Sequence, residues 1–334
     1  MNSLPREKGK VVAKRIAIVL SVVFLIGLVF SVPPLHSQGK DYTHLVILSD
    51  LHLPGRLIPL KEKAVDTINS WADVDTVVLL GDICNDLGTV QEYAYARNFL
   101  SRLKKPLEPI VGNHDYIYDD SRSVAGKRVK GSYAVRKSKL QRFKDIFSLA
   151  ELQRSKRSDP YRLIFLSIDD LNSKLLAEIS EETLQWLRAE LGRNRNTPTI
   201  IFYHAPLRGT LMSGNKDAED ENFIAQPAGK IHNLLKENPQ VFLWVSGHTH
   251  IGATHEKFHH PVNLYDQRVT NIHNCDLDGR SYLADADFTG RPHENIWTNS
   301  LYLYSDKVVV KTYDHRKNGW LKELEREVFP KPWN

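Results

Sequence analysis

Leu45-Val46-Ile47-Leu48-Ser49-Asp50-Leu51-His52 and Val241-Phe242-Leu243-Trp244-Val245-Ser246-Gly247-His248-Thr249-His250 share one pattern. Each is a short apolar run that ends in two candidate metal-ligating side chains one residue apart. Runs this short and this rich in β-branched and aromatic residues read as buried strands, not helices. The pattern recurs in 76–80 before Gly81-Asp82, in 109–111 before Gly112-Asn113-His114-Asp115, and in 199–203 before His204. Five predicted strands therefore carry polar residues at their carboxyl ends. In an α/β sheet that end is where sites form, because helices cover the faces and only the loops can converge. Glycine before Asp82, Asn113 and His248 lets the chain turn sharply from strand to loop while presenting the next side chain.

Outward from these runs, helical patterns fill the gaps. Ala64, Val65, Ile68, Trp71 and Ala72 share one face of 61–72, and Leu184, Leu187 and Leu191 form a stripe that ends at Gly192 as a C-cap. The run 163–168 adds another strand, and the alternation of types predicts a layered α/β fold. Leu301 and Leu303, then Val308 and Val310, alternate with polar neighbours as in a half-exposed antiparallel hairpin around Ser305-Asp306. With no internal repeat, 43–334 reads as a single domain.

The chain has 334 residues, 41% hydrophobic and 25% charged, which excludes disorder, collagen and coiled coil. Two cysteines, Cys84 and Cys275, are too few for a disulfide scaffold or a thiolate zinc site; a buried thiol is the expected state of each, with a Cys84–Cys275 disulfide as the alternative. Of the net charge of +5, residues 1–15 supply +4 through five Lys/Arg against Glu7. That basic, cytoplasmic tail precedes the apolar run 16–32 and Pro33-Pro34, so 16–34 reads as a single transmembrane helix, or as a signal segment if cleaved. Residues 35–42 follow as a linker. The expected location is therefore membrane-tethered with 43–334 extracytoplasmic, or secreted after cleavage. Residues 122–157 hold twelve Lys/Arg against Asp145 and Glu151. Such a segment either attracts anionic substrate, lipid headgroups or nucleic acid, or is a solvated helix-and-loop insertion.

Asp50, His52, Asp82, Asn113, His204, His248 and His250 supply oxygen and imidazole donors without thiolate, a set suited to Zn, Mn, Fe or Co. Seven donors exceed what one ion needs. Two divalent metal ions sharing a carboxylate, about 3.5 to 4 Å apart, can clamp the attacking and leaving oxygens of a phosphoryl group. On extended chain, the alternate residues of Asp-x-His and His-x-His would face one cluster.

Taken together, Ser49-Asp50-Leu51-His52, Gly81-Asp82, Gly112-Asn113-His114-Asp115, Tyr203-His204-Ala205-Pro206 and Gly247-His248-Thr249-His250 resemble the five-block signature of the calcineurin-like metallophosphoesterases. The resemblance spans 45–250. It implies a four-layer α/β/β/α sandwich of two mixed sheets flanked by helices. It places Asp50, His52 and His250 on one metal and Asn113, His204 and His248 on the other, with Asp82 bridging. His114 becomes the transition-state partner or general acid for the leaving oxygen. Asp115 either orients a histidine or a loop, or caps a loop, while Asn85 and Asp86 stand where the family often has a further acidic or Asn residue and are given no ligand role. The expected activity is hydrolysis of a phosphodiester or phosphomonoester by metal-bound hydroxide. The alternatives are a nuclease or nucleotidase using 122–157 as a backbone track, and a non-catalytic scaffold on the same fold; oligomeric state is left open.

Overall fold

Leu45 and Ile47 point to one side of their strand and Val46 and Leu48 to the other, and all four are buried. Such a strand needs apolar cover on both faces. In the computed structural model, which describes residues 39–211, 220–280 and 293–330, a second sheet covers one face and helices the other. In chain order the first half comprises β1 (Thr43–Leu48), α1 (Ile58–Ser70), β2 (Thr76–Leu79), α2 (Val90–Leu100), β3 (Leu107–Pro109), α3 (Asn113–Tyr116), β4 (Tyr118–Arg122), β5 (Arg128–Lys130) and α4 (Tyr133–Phe147). It continues with β6 (Arg154–Ser158), β7 (Tyr161–Leu166), α5 (Glu181–Arg193), β8 (Thr199–Tyr203), α6 (Ala228–Glu237) and β9 (Val241–Ser246). The last strands are β10 (Leu264–Tyr265), β11 (Val269–His273), β12 (Trp297–Leu303), β13 (Val308–Asp314) and β14 (Gly319–Val328).

Two six-stranded sheets result, ordered β14-β13-β12-β1-β2-β3 and β10-β11-β9-β8-β7-β6, beside a small β4-β5 hairpin. Both are mixed. In the first, β1, β2 and β3 run parallel while β12 lies antiparallel to β1. In the second, β7, β8, β9 and β11 are parallel, with β6 and β10 antiparallel at the edges. Leu45, Ile47 and Leu301 of one sheet meet Phe165, Phe202 and Val245 of the other in the core between them. Ala64, Val65 and Ile68 of α1 and Tyr93 and Ala96 of α2 pack with Val46 and Val77; Leu184, Leu187 and Leu191 of α5 and Ile231 and Leu235 of α6 pack with Ile201 and Trp244. The layering is therefore α/β/β/α.

Caps place the helices. Thr89 and Glu92 form a reciprocal capping box on α2, and Ser132 and Ser180 accept amide hydrogen bonds at the starts of α4 and α5. Gly192 is not the C-cap of α5: the helix runs to Arg193, and Asn194 donates its amide to the Leu191 carbonyl instead. The 61–72 pattern starts late, because Pro59 sits in the first turn of α1 and Trp71 is its cap. Likewise 110–111 lies just past β3. The hairpin around Ser305-Asp306 forms with Leu303 opposite Val308.

Cys84 and Cys275 are separate buried thiols. Among the cations of 122–157, eight face nearby carboxylates: Arg122 and Arg128 face Asp86, Lys139 and Arg142 face Asp120, Arg154 and Lys156 face Glu108, Lys144 faces Glu151 and Arg157 faces Asp159. Eight of the twelve cations thus face an acid, but they share five carboxylates, Asp86, Glu108, Asp120, Glu151 and Asp159, so the segment keeps a net positive charge. The anchor expected at 16–34, with tail 1–15, lies outside the described residues, and no helix among the described residues is long and apolar enough to cross a membrane.

Phe202 is fully buried between the sheets, its ring stacked on Phe165 with centroids 5.1 Å apart. Phe202→Ala should lower stability by about 3–5 kcal/mol, read as a lower urea midpoint at unchanged slope.

Candidate metal centre

Strands β1, β2 and β3 of one sheet and β8 and β9 of the other end side by side, so the loops beyond them meet at the seam. There Asp50, His52, Asp82 and His250 each bring a donor atom within 4.8 Å of the others, and Asp82, His204 and His248 do the same. Asp82 is common to both groups. Asn113 joins the second through Oδ1, 3.2 Å from His204 Nε2. His114 stands beside them, Nε2 4.0 Å from Asp82 Oδ2. The structure thus brings together all seven expected donors and the neighbouring histidine.

They are not presented on extended chain. Asp50, His52, Asp82, His248 and His250 have φ of 49°, 46°, 49°, 68° and 51°. The left-handed region is sparsely populated by non-glycine residues and costs of order 1–3 kcal/mol at each. The side chains converge because the loops curl inward, not because a strand alternates. Gly81, at φ +88°, makes the expected sharp turn, whereas Gly112 and Gly247 are required by close approach: a Cβ would strike the Asp82 amide at one and Ser49 Oγ at the other.

Backbone and carboxylate acceptors fix the histidine rings. Nδ1 of His52 faces the Asn85 carbonyl at 3.2 Å, Nδ1 of His204 the Leu80 carbonyl at 2.7 Å, and Nδ1 of His250 the Asp276 carboxylate at 3.2 Å. His248 is reversed, with Nε2 2.8 Å from the Asn222 carbonyl. An acceptor demands an N–H there, which leaves the other nitrogen as a bare lone pair aimed inward. Nε2 of His52 then faces Nε2 of His250 at 3.2 Å, and Nε2 of His204 faces Asn113 Oδ1. Asp50 Oδ1 is buried with no hydrogen bond, 3.2 Å from His250 Nε2. Acceptors pressed against acceptors call for cations between them, so the residues fit a pair of divalent ions.

The same fit appears by comparison. A family model described as calcineurin-like phosphoesterase matches residues 43–252, well over half of the chain. The chain belongs to the calcineurin-like phosphoesterase family. This phosphoesterase is 26% identical over 219 residues to glycerophosphodiester phosphodiesterase GpdQ of Enterobacter lignolyticus, covering 62% of this chain and 67% of the relative. In fold it resembles a dimetal phosphatase from Danio rerio (TM-score 0.56, 15% identity, 87% of this chain and all of the other) and purple acid phosphatase PPD1 from yellow lupin (TM-score 0.56, 15% identity, 84% and 52%). Membership makes it a metal-dependent phosphoester hydrolase.

Without metal, protons fill the gaps in the phosphoesterase site. Burial works to lower the His204 and His250 pKa values, but the Asp82 carboxylate outweighs it at His204, raising it to about 9, and Asp50 and Asp276 raise His250 to about 10. Burial lowers His52, and it takes His248 down to about 4, helped by the charge of His204.

Asp115 orients a loop, not a histidine. Its carboxylate accepts the amides of Ile83, Cys84 and Gly112 at 2.8–3.0 Å, tying the β2 and β3 loops together. Burial and the charge of Asp82 push its pKa up to about 7. Asn85 and Asp86 act through carbonyls, the latter 2.8 Å from His114 Nδ1. Three contributors went unread in the sequence. Asp276 follows β11, whose run 269–273 ends in Asn274-Cys275-Asp276 and repeats the strand-then-carboxylate pattern. Asn222 shows no local signal. Lys61, buried on α1, donates to the Leu51 carbonyl at 2.6 Å and pairs with Asp278 at 2.6 Å, steadying the turn that carries His52.

Asp276→Asn replaces an acceptor facing His250 Nδ1–H with an amide donor, and should weaken metal retention about 10–100-fold as read by chelator competition. Metal loading at pH 8 should release protons, because His204 and His250 still hold them below pKa values of about 9 and 10. The histidine part of the release should fall away above about pH 10, leaving only that of the metal-bound water, as measured by calorimetry in buffers of different ionisation enthalpy.

Proposed function

We propose that this chain is a phosphodiesterase tethered to a membrane, with Asp50, His52 and His250 holding one divalent ion, Asn113, His204 and His248 the other, and Asp82 bridging. The observation that carries the reading is Asp82, whose carboxylate is shared by both donor groups at the seam. The GpdQ relative, named as a diesterase, supports diester over monoester. The apolar run 16–34 behind a basic tail supports the tether and an extracytoplasmic site, and hence a cell-envelope or extracellular substrate. Pairing of most cations in 122–157 with acids supports a substrate held in the cleft over a nucleic-acid track along that segment.

When bound, the ions would supply Lewis-acid charge to the phosphoryl oxygens and acidify a water. The protein's part is to position and to move one proton. Because His114 Nδ1 faces the Asp86 carbonyl, Nε2 is the nitrogen turned toward Asp82 and the cleft. Burial lowers the His114 pKa, with Asp82 pulling the other way, so the ring is neutral at rest at pH 7. As general acid His114 acts in its imidazolium form, which a phosphodiester anion beside Nε2 favours: Nε2 takes a proton from solvent and passes it to the leaving alkoxide.

His114→Gln should lower kcat by about 10²–10⁴-fold with near-normal metal content, whereas Asp82→Asn should lose metal and turnover together. Metal analysis and kinetics on the same preparations check this; equal metal loss in both variants would contradict the division of roles. With Mn, Zn, Fe or Co, 4-nitrophenyl diesters should be cleaved with higher kcat/KM than 4-nitrophenyl phosphate. The full chain should sediment with membranes and resist carbonate extraction.

A further inference from the structure

Beyond the donors, the cleft has a volume of about 400 Å³ and is lined by three guanidinium side chains, Arg56, Arg128 and Arg280. The carboxylates that face them among the described residues do not balance them. Asp278 faces both Lys61 and Arg280, each at 2.6 Å. Asp86 faces both Arg122 and Arg128. Arg56 has no carboxylate partner among the described residues; its Nη1 donates to the carbonyls of Asp278 and Gly279, at 3.3 and 2.9 Å. Among the described residues, Asp278 and Asp86 thus each face two cations, and the Arg56 guanidinium faces no acid.

The positions are held, not floppy. Arg280 Nη2 donates to Asn85 Oδ1 at 2.6 Å, and Arg128 lies 5.5 Å from the Tyr118 ring centroid while its Nε bonds Asp86. A phosphodiester has one negative charge, and the donor cluster with its ions is where that charge goes. Three cations on the rim of the same cleft exceed that need, and they would repel a cationic headgroup.

We propose that the substrate carries a second anionic group, a carboxylate or a further phosphate, and that Arg56, Arg128 and Arg280 receive it. A guanidinium fork matches either group bidentately. The assignment rests on the reading of this cleft as a phosphodiesterase, and it adds selectivity against neutral and cationic diesters.

The test uses the full-length, detergent-solubilised chain loaded with Mn(II). Its probes are 4-nitrophenyl phosphodiesters of choline, glycerol, glycerate and glycerol phosphate, which share a leaving group and differ in the charge of the other alcohol. The last two should exceed choline in kcat/KM by about tenfold or more, with glycerol between; whichever of the two is faster distinguishes carboxylate from phosphate. In Arg56→Gln/Arg128→Gln the ratio to choline should collapse toward one, and in Arg56→Lys/Arg128→Lys it should fall only part way, since the charge stays and the fork is lost. A ratio of two substrates on one preparation is independent of the fraction folded. Equal kcat/KM across the series, or a preference that survives the double Gln variant, overturns the proposal. Binding of 3-phosphoglycerate against glycerol 3-phosphate by calorimetry gives a readout without turnover. If no diester is cleaved yet 3-phosphoglycerate binds more tightly in an arginine-dependent way, the phosphodiesterase reading fails and the rim assignment stands; equal binding overturns the assignment itself.

Discussion

Two buried carboxylates at the seam between sheets are the constraint on which the rest of the molecule depends. Asp50 and Asp82 are at most 1% exposed, and a carboxylate removed from water needs charge and hydrogen bonds in return. Each receives part of this from across the seam or from the next loop, while Asp50 Oδ1 is left for a cation. Asp50 Oδ2 accepts the His248 amide at 3.0 Å, and Asp82 Oδ1 accepts the His114 amide at 2.8 Å with His204 Nε2 3.5 Å away. The two sheets are thus joined at their carboxyl edges by the groups that form the site, while Phe165, Phe202 and their neighbours join them along the interior.

That arrangement asks the backbone for conformations it resists. Five donor residues sit at positive φ, and such strain persists only where surrounding contacts over-determine it. Here Asp115 gathers three amides, Glu92 accepts those of Asp86, Leu87 and Thr89, and Asp276 accepts those of Asp278, Gly279 and Arg280. Two of the three also aim a histidine: the Asp86 carbonyl, on the loop that Glu92 holds, aims His114, and the Asp276 carboxylate aims His250. Helix capping on α2 and ring orientation in the site are one network, since Glu92 is both the capping-box residue and the anchor of the Asp86 loop.

The cleft inherits its charge from the same loops. Arg128 arrives on the β4-β5 hairpin just after α3, and Arg56 and Arg280 arrive on turns pinned through Asp278. A rigid donor cluster with a cationic rim divides the work between binding the reacting phosphoryl group and selecting what is attached to it.

Much of this was written in the chain. Apolar runs such as 45–48 and 241–245 must be buried whatever their surroundings, and a donor that follows such a run must lie at a strand end, so the α/β class and the eight side chains that the fold gathers at the seam could be read locally. Distance along the chain hid the remainder. Nothing near Asn222 or Lys61 announces a partner, and the strand-end position of Asp276 does not name His250, because their roles consist of reaching residues 26, 10 and 26 positions or more away in hydrogen-bonded contacts that only folding creates. The extended Asp-x-His reading failed for the same reason: local period predicts alternation, but burial of Asp50 against His248 forced the loop into left-handed turns. Sequence alone determined which side chains could bind metal; the tertiary structure decided which nitrogen of each ring points inward, since a ring's proton follows the acceptor that packing places beside it.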